Sequence, residues 1–227
     1  TGYKIRVVAS NPATTGSESS AFTITQNGEY CPQIGDYQTI GSNTWATVGI
    51  WQTYNYVSAS KSRVWQNAAS QPNNAAINIY VRNAHTVTLT DGPKSINNLI
   101  IDNGGRLYRS STASLTYLNL GGDILCNGNF GNGTTSDAIN LNIQAGDHTI
   151  SGSGSFNCWR IRLSNETVNG ASTGSATLTI DMDVNLRWLP SGSDGKNAMF
   201  SNWGSSSTFD VIVNAGRTLT LTEATAS

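Results

Sequence analysis

Charge is scarce in this chain. Only 12% of its 227 residues are Asp, Glu, Lys or Arg, and 13 basic against 14 acidic residues leave a formal net charge of -1. Globular domains usually carry about twice that share, roughly 25%. Because there is no excess of positive charge to attract phosphate groups, we expect neither nucleic acid nor an anionic lipid surface as a partner.

A long hydrophobic run is missing too. No stretch approaches the roughly 18 consecutive apolar residues that a membrane-spanning helix needs, so we predict no membrane insertion. The chain begins with TGYKIRVVAS and ends with VIVNAGRTLTLTEATAS, and both ends read as alternating strands without a signal peptide. Such ends are typical of a piece cut from a longer polypeptide.

Cysteine is also rare. Cys31, Cys126 and Cys158 are not part of a Cys-x-x-Cys pair or a Cys/His cluster. Since structural zinc sites need such clusters, we predict no metal site and no cofactor. The sequence leaves two alternatives open for the later two residues: a Cys126–Cys158 disulfide, or buried free thiols.

Glycine, threonine and asparagine are abundant instead, and they favour strands and turns over helices. One segment, INNLIIDNGGRLY (Ile96–Tyr108), shows the pattern most clearly. An apolar strand runs into Asp-Asn-Gly-Gly, after which a second apolar strand begins. Similar segments begin at Leu118, Leu141, Leu178 and Val211.

These segments indicate a repeat. If Ile101, Leu120, Ile143, Ile180 and Val213 are equivalent, the spacings are 19, 23, 37 and 33 residues. The short spacings suit single coils of a β-solenoid, and the long ones suit coils with loop insertions. One coil cannot bury its apolar face alone, but stacked coils share a continuous interior. We therefore predict an all-β chain with a right-handed parallel β-helix over 81–227, truncated at its C-terminal end.

The same physics predicts corners and a cap. Glycine fits corners that need a positive φ, and asparagines at successive corners are expected to hydrogen-bond along the stack. The first coil needs a cover for its open apolar end. Residues 27–80 are predicted to form a linker and an aromatic cap, since the large aromatic residues clustered there suit a small sealing core; they include Trp45, Trp51 and Trp65.

Residues 1–26 form a separate short module in this interpretation. Alternating strands are predicted at 3–10 and 21–26, with a polar, turn-rich loop between them at 11–20. A single hairpin is too small to hold a core of its own. We therefore interpret it as the last two strands of a β-sandwich domain.

Two stretches resemble a known family. The segments GDYQTIGSNTWATVGIWQTY, INIYVRNAHTVTLT and INNLIIDNGGRLY are similar to a module of large secreted surface proteins of Bacteroidota, in which an aromatic cap precedes a parallel β-solenoid. YKIRVVASNPATTGSESSAFTI resembles the closing strands of immunoglobulin-like domains in the same proteins. The resemblance, which covers 1–26 and 36–108, implies type IX secretion, a cell-surface location, and an adhesive, structural or filament-forming role. Because an open solenoid end favours pairing, the partners that we expect are other copies of the chain or neighbouring domains of the same long chain, and surface glycans.

Two rows of charged side chains are the best candidates for catalysis. Arg160 and Arg162 share one face of a predicted strand, and Asp181, Asp183 and Asn185 share one face of another, because side chains alternate along a strand. A polysaccharide lyase or glycoside hydrolase would use such carboxylates for Ca²⁺ and an arginine as base. We favour the other interpretation, a cross-strand ladder of ion pairs on an exposed face.

Four further residues could bind or react. Trp188 and Trp203 lie in or beside a long insertion, where indole rings could stack on sugars or pack the insertion onto the coils. His85 and His148 lack the neighbours of a catalytic triad or a zinc motif, so we assign them structural or solvent-facing roles. The sequence thus predicts a non-catalytic extracellular structural or adhesive protein, with a glycan-cleaving enzyme and a glycan-binding module as alternatives.

Overall fold

A computed structural model describes residues 8–10, 13–15, 31–110, 117–132, 139–163, 174–188, 200–202 and 208–223. The chain divides into two compact units, Thr1–Cys31 and Pro32–Ser227. In the first unit, β1 (Val8–Ser10) and β2 (Ala13–Thr15) form an antiparallel hairpin. The prediction of a loop over 11–20 is therefore wrong at β2, where two threonines, which are β-branched, suit a strand. The strand predicted at 21–26 lies outside the described residues.

The second unit is built from short strands. Within the described ranges, one 3₁₀ turn, Val48–Ile50, interrupts them. Among the described residues, no helix combines the length and apolar character needed to cross a membrane. In chain order the strands are β3 (Tyr37–Thr39), β4 (Asn43–Thr44), β5 (Trp51–Val57), β6 (Ser62–Asn67), β7 (Ile79–Val81), β8 (Thr86–Leu89), β9 (Lys94–Ile96), β10 (Leu99–Ile101), β11 (Arg106–Arg109), β12 (Tyr117–Leu120), β13 (Ile124–Cys126), β14 (Asn129–Phe130), β15 (Ile139–Ile143), β16 (Gly146–Ser151), β17 (Ser155–Leu163), β18 (Ala176–Asp181), β19 (Val184–Trp188), β20 (Phe200–Asn202), β21 (Phe209–Val213) and β22 (Leu219–Glu223).

These strands join in two sheets. The first has the order β21-β18-β16-β13-β10-β7-β3-β5-β6, parallel from β21 to β3 and antiparallel from β3 to β6. The second has the order β4-β8-β11-β14-β17-β15-β12-β9, and β19 and β20 also pair with β17, as β22 does with β19. From β7 to β15, each strand lies beside the strand three elements earlier or later in the chain. The result is a curled, solenoid-like parallel sheet.

The segment that shows the repeat most clearly, Ile96–Tyr108, holds β10 of the first sheet and most of β11 of the second. Leu99 lies between Ile79 of β7 and Ile124 of β13. The column continues through Ile150, Ile180 and Val213. All its members except the last are fully buried, so the apolar residues form one continuous interior row.

The predicted alignment of the coils is wrong. Ile180 and Val213 do share a column, but Leu120 and Ile143 pair with each other in the second sheet. Each turn holds more than one short apolar strand with the same alternation, so the pattern alone does not say which strand recurs. The spacings along the column of Ile79, Leu99, Ile124, Ile150, Ile180 and Val213 are 20, 25, 26, 30 and 33 residues.

Two tryptophans cover the core where it begins. Trp45 and Trp51 are both fully buried, and their ring centroids lie 5.1 Å apart. Nε1 of Trp51 donates to the carbonyl oxygen of Trp45 at 2.9 Å, and Nε1 of Trp45 donates to that of Pro72 at 2.8 Å. Both polar ends of the rings are thus satisfied inside the core.

Polar side chains at one corner link successive turns. Oδ1 of Asp36 accepts the backbone N–H of Asn78 at 2.8 Å, and Oδ1 of Asn78 accepts that of Asn98 at 3.3 Å. Oδ1 of Asn98 accepts the N–H of Asp123 at 2.6 Å, and Oδ1 of Asp123 accepts that of Thr149 at 2.8 Å. Nδ2 of Asn98 also donates to Oδ1 of Asn78 at 2.7 Å. The predicted hydrogen bonds between corner asparagines are therefore confirmed at this corner, which we call the corner ladder.

All three cysteines are free thiols. The alternative of a Cys126–Cys158 disulfide is therefore wrong, and both thiols contact backbone carbonyl oxygens instead: Sγ of Cys126 lies 3.5 Å from that of Gly128. The Sγ atom of Cys158 lies 3.0 Å from the carbonyl oxygen of Ile139. Burial raises the pKa of both thiols to about 12, against the smaller lowering effect of backbone hydrogen bonds.

Candidate functional surfaces

Arg160 and Arg162 lie on the second half of β17 and point away from the core, because Ile161 between them points into it. Nε of Arg160 donates to Oδ1 of Asn140 at 3.0 Å, and Nε of Arg162 donates to Oδ1 of Asn142 at 2.9 Å. Although they face outward from the sheet, both arginines are buried, with 6% and 2% of their surface exposed. Neutral amides are therefore the neighbours of both guanidinium groups across the strand.

Tyr117 lies beside the same arginines. The guanidinium carbons of Arg162 and Arg160 lie 4.7 and 6.0 Å from the centre of its ring, within the range of cation–π attraction. Asn142 donates to Asn119 at 2.8 Å, and Asn119 donates to Ser95 at 3.2 Å, so the polar contacts continue into earlier turns. These residues form a buried polar strip that ties neighbouring turns together.

The two aspartates lie in a different place. Asp181 ends β18 in the first sheet, and Asp183 follows in the corner before β19. Oδ1 of Asp181 accepts from Nε of Arg217 at 3.1 Å, and Oδ1 of Asp183 accepts the N–H of Thr218 at 2.8 Å. Hydrogen bonds from Arg217 and then from Asn214 lower the pKa of the exposed Asp181 carboxyl.

The predicted acidic and basic rows therefore do not face each other. Asp181 and the two arginines belong to strands of different sheets, β18 and β17. Asn185 pairs with Asn157 in the second sheet and donates to its Oδ1 at 3.3 Å. An ion-pair ladder and a catalytic site both assumed contact between Arg160–Arg162 and Asp181–Asp183, and that contact is not formed. Alternation along a strand gives the face of each residue but not the sheet.

The histidines contact neighbouring segments of the stack. Nδ1 of His85 lies 2.8 Å from Oγ1 of Thr39. The ring nitrogens of the buried His148 lie 2.7 Å from the carbonyl oxygen of Gly122 and 3.0 Å from that of Gln144. In the part of the chain that the structure describes, no group of three His, Cys, Asp or Glu residues could hold a metal ion. The contacts agree with structural roles for both histidines.

The two tryptophans predicted to contact glycans are placed only in part. Trp188 is the last residue of β19 and pairs with Glu223 of β22. Trp203 lies outside the described residues. Glycan stacking on this pair stays a prediction.

An aromatic surface lies on the outer face of the first sheet, near its β6 edge. Tyr54 and Trp65 are register partners on β5 and β6, with ring centroids 5.0 Å apart. Trp65 meets Tyr80 edge to face at 5.9 Å, and the guanidinium of Arg82 lies over the Tyr80 ring at 4.8 Å. The cap surface, as we call it, consists of Gln38, Gln52, Tyr54, Trp65 and Arg82, together with the Tyr80 ring, which is 2% exposed and packs beneath Trp65 and Arg82.

Polar contacts fix the arginine of this surface. Nε of Arg82 donates to Oε1 of Gln38 at 2.9 Å, and Nε2 of Gln38 donates to Oε1 of Gln52 at 3.0 Å. Nη1 of Arg82 lies 3.4 Å from Oδ2 of Asp102, and each of these two side chains is about one third exposed. The guanidinium is therefore held in one place, and its charge is balanced at the surface.

The sequence predicts a sealing core for all the cap aromatics and therefore does not predict this surface. That assignment is wrong for Tyr54 and Trp65, which are half-buried, and for Tyr56, which is 54% exposed. The alternation in WQTYNYV carried the signal. Since Trp51 points into the core, the tyrosines at 54 and 56 must point outward.

Comparisons of the chain with protein-family models, with curated proteins and with solved structures found no match. The geometry of the sites, and not the fold, decides what the chain can do. The stacked turns, the buried polar strip and the cap surface are its three distinct features.

Proposed function

We propose that this chain is a non-catalytic structural segment of a large extracellular protein: a right-handed parallel β-helix that follows the last strands of an immunoglobulin-like domain. The observation that carries the proposal is the continuous register of the first sheet, where one apolar column runs from Ile79 to Val213. Turns that share a core and a ladder of hydrogen bonds depend on their neighbours for stability. Such a stack is a rigid shaft.

The resemblance of the cap and first coils to Bacteroidota surface proteins supports a place at the cell surface and export by the type IX secretion system. Within that setting the shaft would hold an adhesive region away from the cell, or form part of a filament. The low charge agrees with a role that needs neither nucleic acid nor lipid.

The far end of the stack supports the proposed partners. Val213 and Leu221 continue columns whose preceding members, Ile180 and Leu186, are fully buried, yet they are 38% and 56% exposed. Strand edges that carry exposed apolar side chains favour pairing with further strands. We propose that another copy of the chain or a neighbouring domain covers this end.

The test is an attachment assay on the cells that make the protein. Removing residues 32–223 from the gene should lower attachment to surfaces or filament formation, while the rest of the protein is still exported. Normal attachment and normal filaments after this deletion would contradict the structural role.

A matched variant separates this role from the enzyme alternative. Asp181→Asn and Asp183→Asn together remove both carboxylates but keep oxygen acceptors for Arg217 and for the N–H of Thr218. Cells with this variant should attach like the wild type, and the purified chain should release no new reducing ends from acidic polysaccharides. Release of reducing ends by the wild type that the variant abolishes would favour the enzyme.

A further inference from the structure

We infer that the cap surface binds a neutral, extended polysaccharide chain, whose sugar rings stack on Tyr54 and Trp65. This inference goes beyond the proposed structural role, which stands without it. It rests on the position, exposure and polar surroundings of these aromatic side chains.

The aromatic side chains of the cap surface point away from the core. Trp51 is fully buried, whereas Tyr54 and Tyr56, an odd number of positions after it in β5, lie on the opposite face of the strand. Trp65 is the cross-strand partner of Tyr54 and shares that face. Large aromatic side chains that keep water contact on one patch are typical of binding sites, since burial would otherwise be favourable.

The ring faces of these aromatic side chains suit sugars. An aromatic ring has a negative face, which attracts the weakly positive C–H groups on the flat side of a pyranose ring. The Tyr54 and Trp65 centroids lie 5.0 Å apart with the ring planes tilted by 52°. Trp65 packs edge to face at 5.9 Å on Tyr80, which is only 2% exposed, so the stacking area open to water belongs to Tyr54 and Trp65. Because β6 is the edge strand of the first sheet, a sugar ring stacked on Trp65 can belong to a longer chain that continues past that edge.

Hydrogen-bonding groups lie beside these rings. Gln38, Gln52 and Arg82 form a fixed chain of contacts in which the guanidinium lies above Tyr80. Oε1 of Gln52 accepts from Gln38, which turns the amide and leaves its Nε2 as a donor for a sugar hydroxyl. Groups that are already fixed lose little conformational entropy on binding.

The charge of the patch favours a neutral glycan. The guanidinium of Arg82 lies 3.4 Å from the carboxylate of Asp102, so its charge is already balanced. An acidic glycan would have to compete with that carboxylate for the arginine. Neutral hydroxyl groups can accept from the remaining N–H groups without displacing it.

The experiment measures binding of the purified 227-residue chain to cellohexaose, xylohexaose and chitohexaose by isothermal titration calorimetry, with a polygalacturonate oligomer as the acidic probe. We expect saturable binding to at least one neutral probe and weaker binding to the acidic one. Lack of binding to all three neutral probes, or preferred binding to polygalacturonate, would overturn the inference.

Variants assign the binding to the cap surface. Trp65→Ala should weaken the affinity about tenfold or more, which corresponds to about 1.4 kcal/mol. Tyr108→Ala, which removes a half-buried aromatic ring from β11 of the second sheet, is the matched control and should leave the affinity unchanged. Unchanged binding by Trp65→Ala would overturn the inference.

A further variant separates binding from folding. Trp65→Phe keeps an aromatic ring in the hairpin and should bind with intermediate affinity at a nearly unchanged melting temperature. If Trp65→Phe binds no better than Trp65→Ala while both remain folded, stacking on this ring is not the source of affinity. The deletion of residues 32–223 removes the shaft and the cap surface together, whereas Trp65→Ala removes one ring and keeps the shaft. Loss of glycan binding by a folded Trp65→Ala chain therefore tests the glycan inference alone, and the deletion tests the structural proposal.

Discussion

The Oδ1 atom of Asn78 accepts both the backbone N–H and the side-chain Nδ2 of Asn98, at 3.3 and 2.7 Å, and so joins two successive turns. Asn98 repeats the arrangement toward the next turn through its own Oδ1. The residues of the corner ladder thus accept from backbone N–H groups that have no partner in the strand pairing. The ladder leads to the first prediction about stability.

Asn98→Ala should lower the free energy of unfolding by about 1–3 kcal/mol, because it removes the acceptor of the Asp123 N–H and the side-chain hydrogen bond to Oδ1 of Asn78. Chemical denaturation measures this change. Asn103→Ala, at an exposed corner residue, is the control and should stay within about 0.5 kcal/mol of the wild type. Equal loss in both variants would show that the ladder adds no specific stability.

Gly105 is packed against the backbone of the preceding turn. A Cβ atom at this position would lie 2.7 Å from the carbonyl oxygen of Val81 and 3.0 Å from that of Asp102. Gly105→Ala should therefore cost about 1–3 kcal/mol, the range for overpacking. Gly92→Ala, where a Cβ would meet nothing within 4 Å, should unfold at the wild-type denaturant concentration. If Gly105→Ala matched this control, the close approach of the two turns would be wrong.

Two buried thiols should make stability depend on pH in the alkaline range. The pKa of Cys126 and of Cys158 is about 12 in the folded chain, whereas an exposed thiol titrates near 8.5. Above the unfolded pKa the unfolded chain loses protons that the folded chain keeps, so stability falls as pH rises through this window. Below pH of about 8.5 the contribution is fully present.

The measurement compares denaturation of the wild type and a Cys126→Ala, Cys158→Ala double variant across that window. We expect the variant to be less stable at neutral pH because it loses buried side-chain volume. We also expect its stability to fall less steeply with rising pH. An identical pH slope in the two chains would mean that the thiols are not buried in the folded state.

The exposed end of the stack predicts self-association. Leu221→Lys places a charge in a core column that is open to solvent and should reduce concentration-dependent dimer or filament formation, measured by sedimentation velocity. Ile212→Lys is the control, since Ile212 is 49% exposed but pairs with Thr179 on the outer face. A wild-type chain that stays monomeric up to its solubility limit would exclude pairing between copies and leave a neighbouring domain as the cover.

The sequence predicted the strands and the parallel stacking, because alternation and corner glycines are local signals. Leu99–Ile101 was placed correctly as one strand of a stack. The register between turns was not predictable in the same way. The glycine pairs at 104–105 and 121–122 look alike, yet the first separates β10 from β11 and the second separates β12 from β13.

The candidate sites could be predicted only in part, because they too depend on the register between turns. Alternation correctly placed Arg160 and Arg162 on one face of β17, but it could not show that their partners would be Asn140 and Asn142. Those contacts depend on which turns lie side by side, and insertions of different length between strands obscure that spacing. The cap surface was missed for another reason: composition suggested a core, whereas alternation in β5 separates Trp51 from Tyr54.

The central claim is that the turns stack on one another, and the distance between Arg106 and Thr218 tests it most directly. Both residues are exposed in the second sheet, and the path from β11 through β14, β17 and β19 to β22 takes four inter-strand steps. At about 4.8 Å a step, their Cα atoms should be about 19 Å apart. Spin labels at Arg106→Cys and Thr218→Cys, in a Cys31→Ser background with the two buried thiols unlabelled, allow the distance to be measured by double electron–electron resonance. A narrow distribution near this separation is the predicted result, and a broad distribution reaching more than twice as far would contradict the stack.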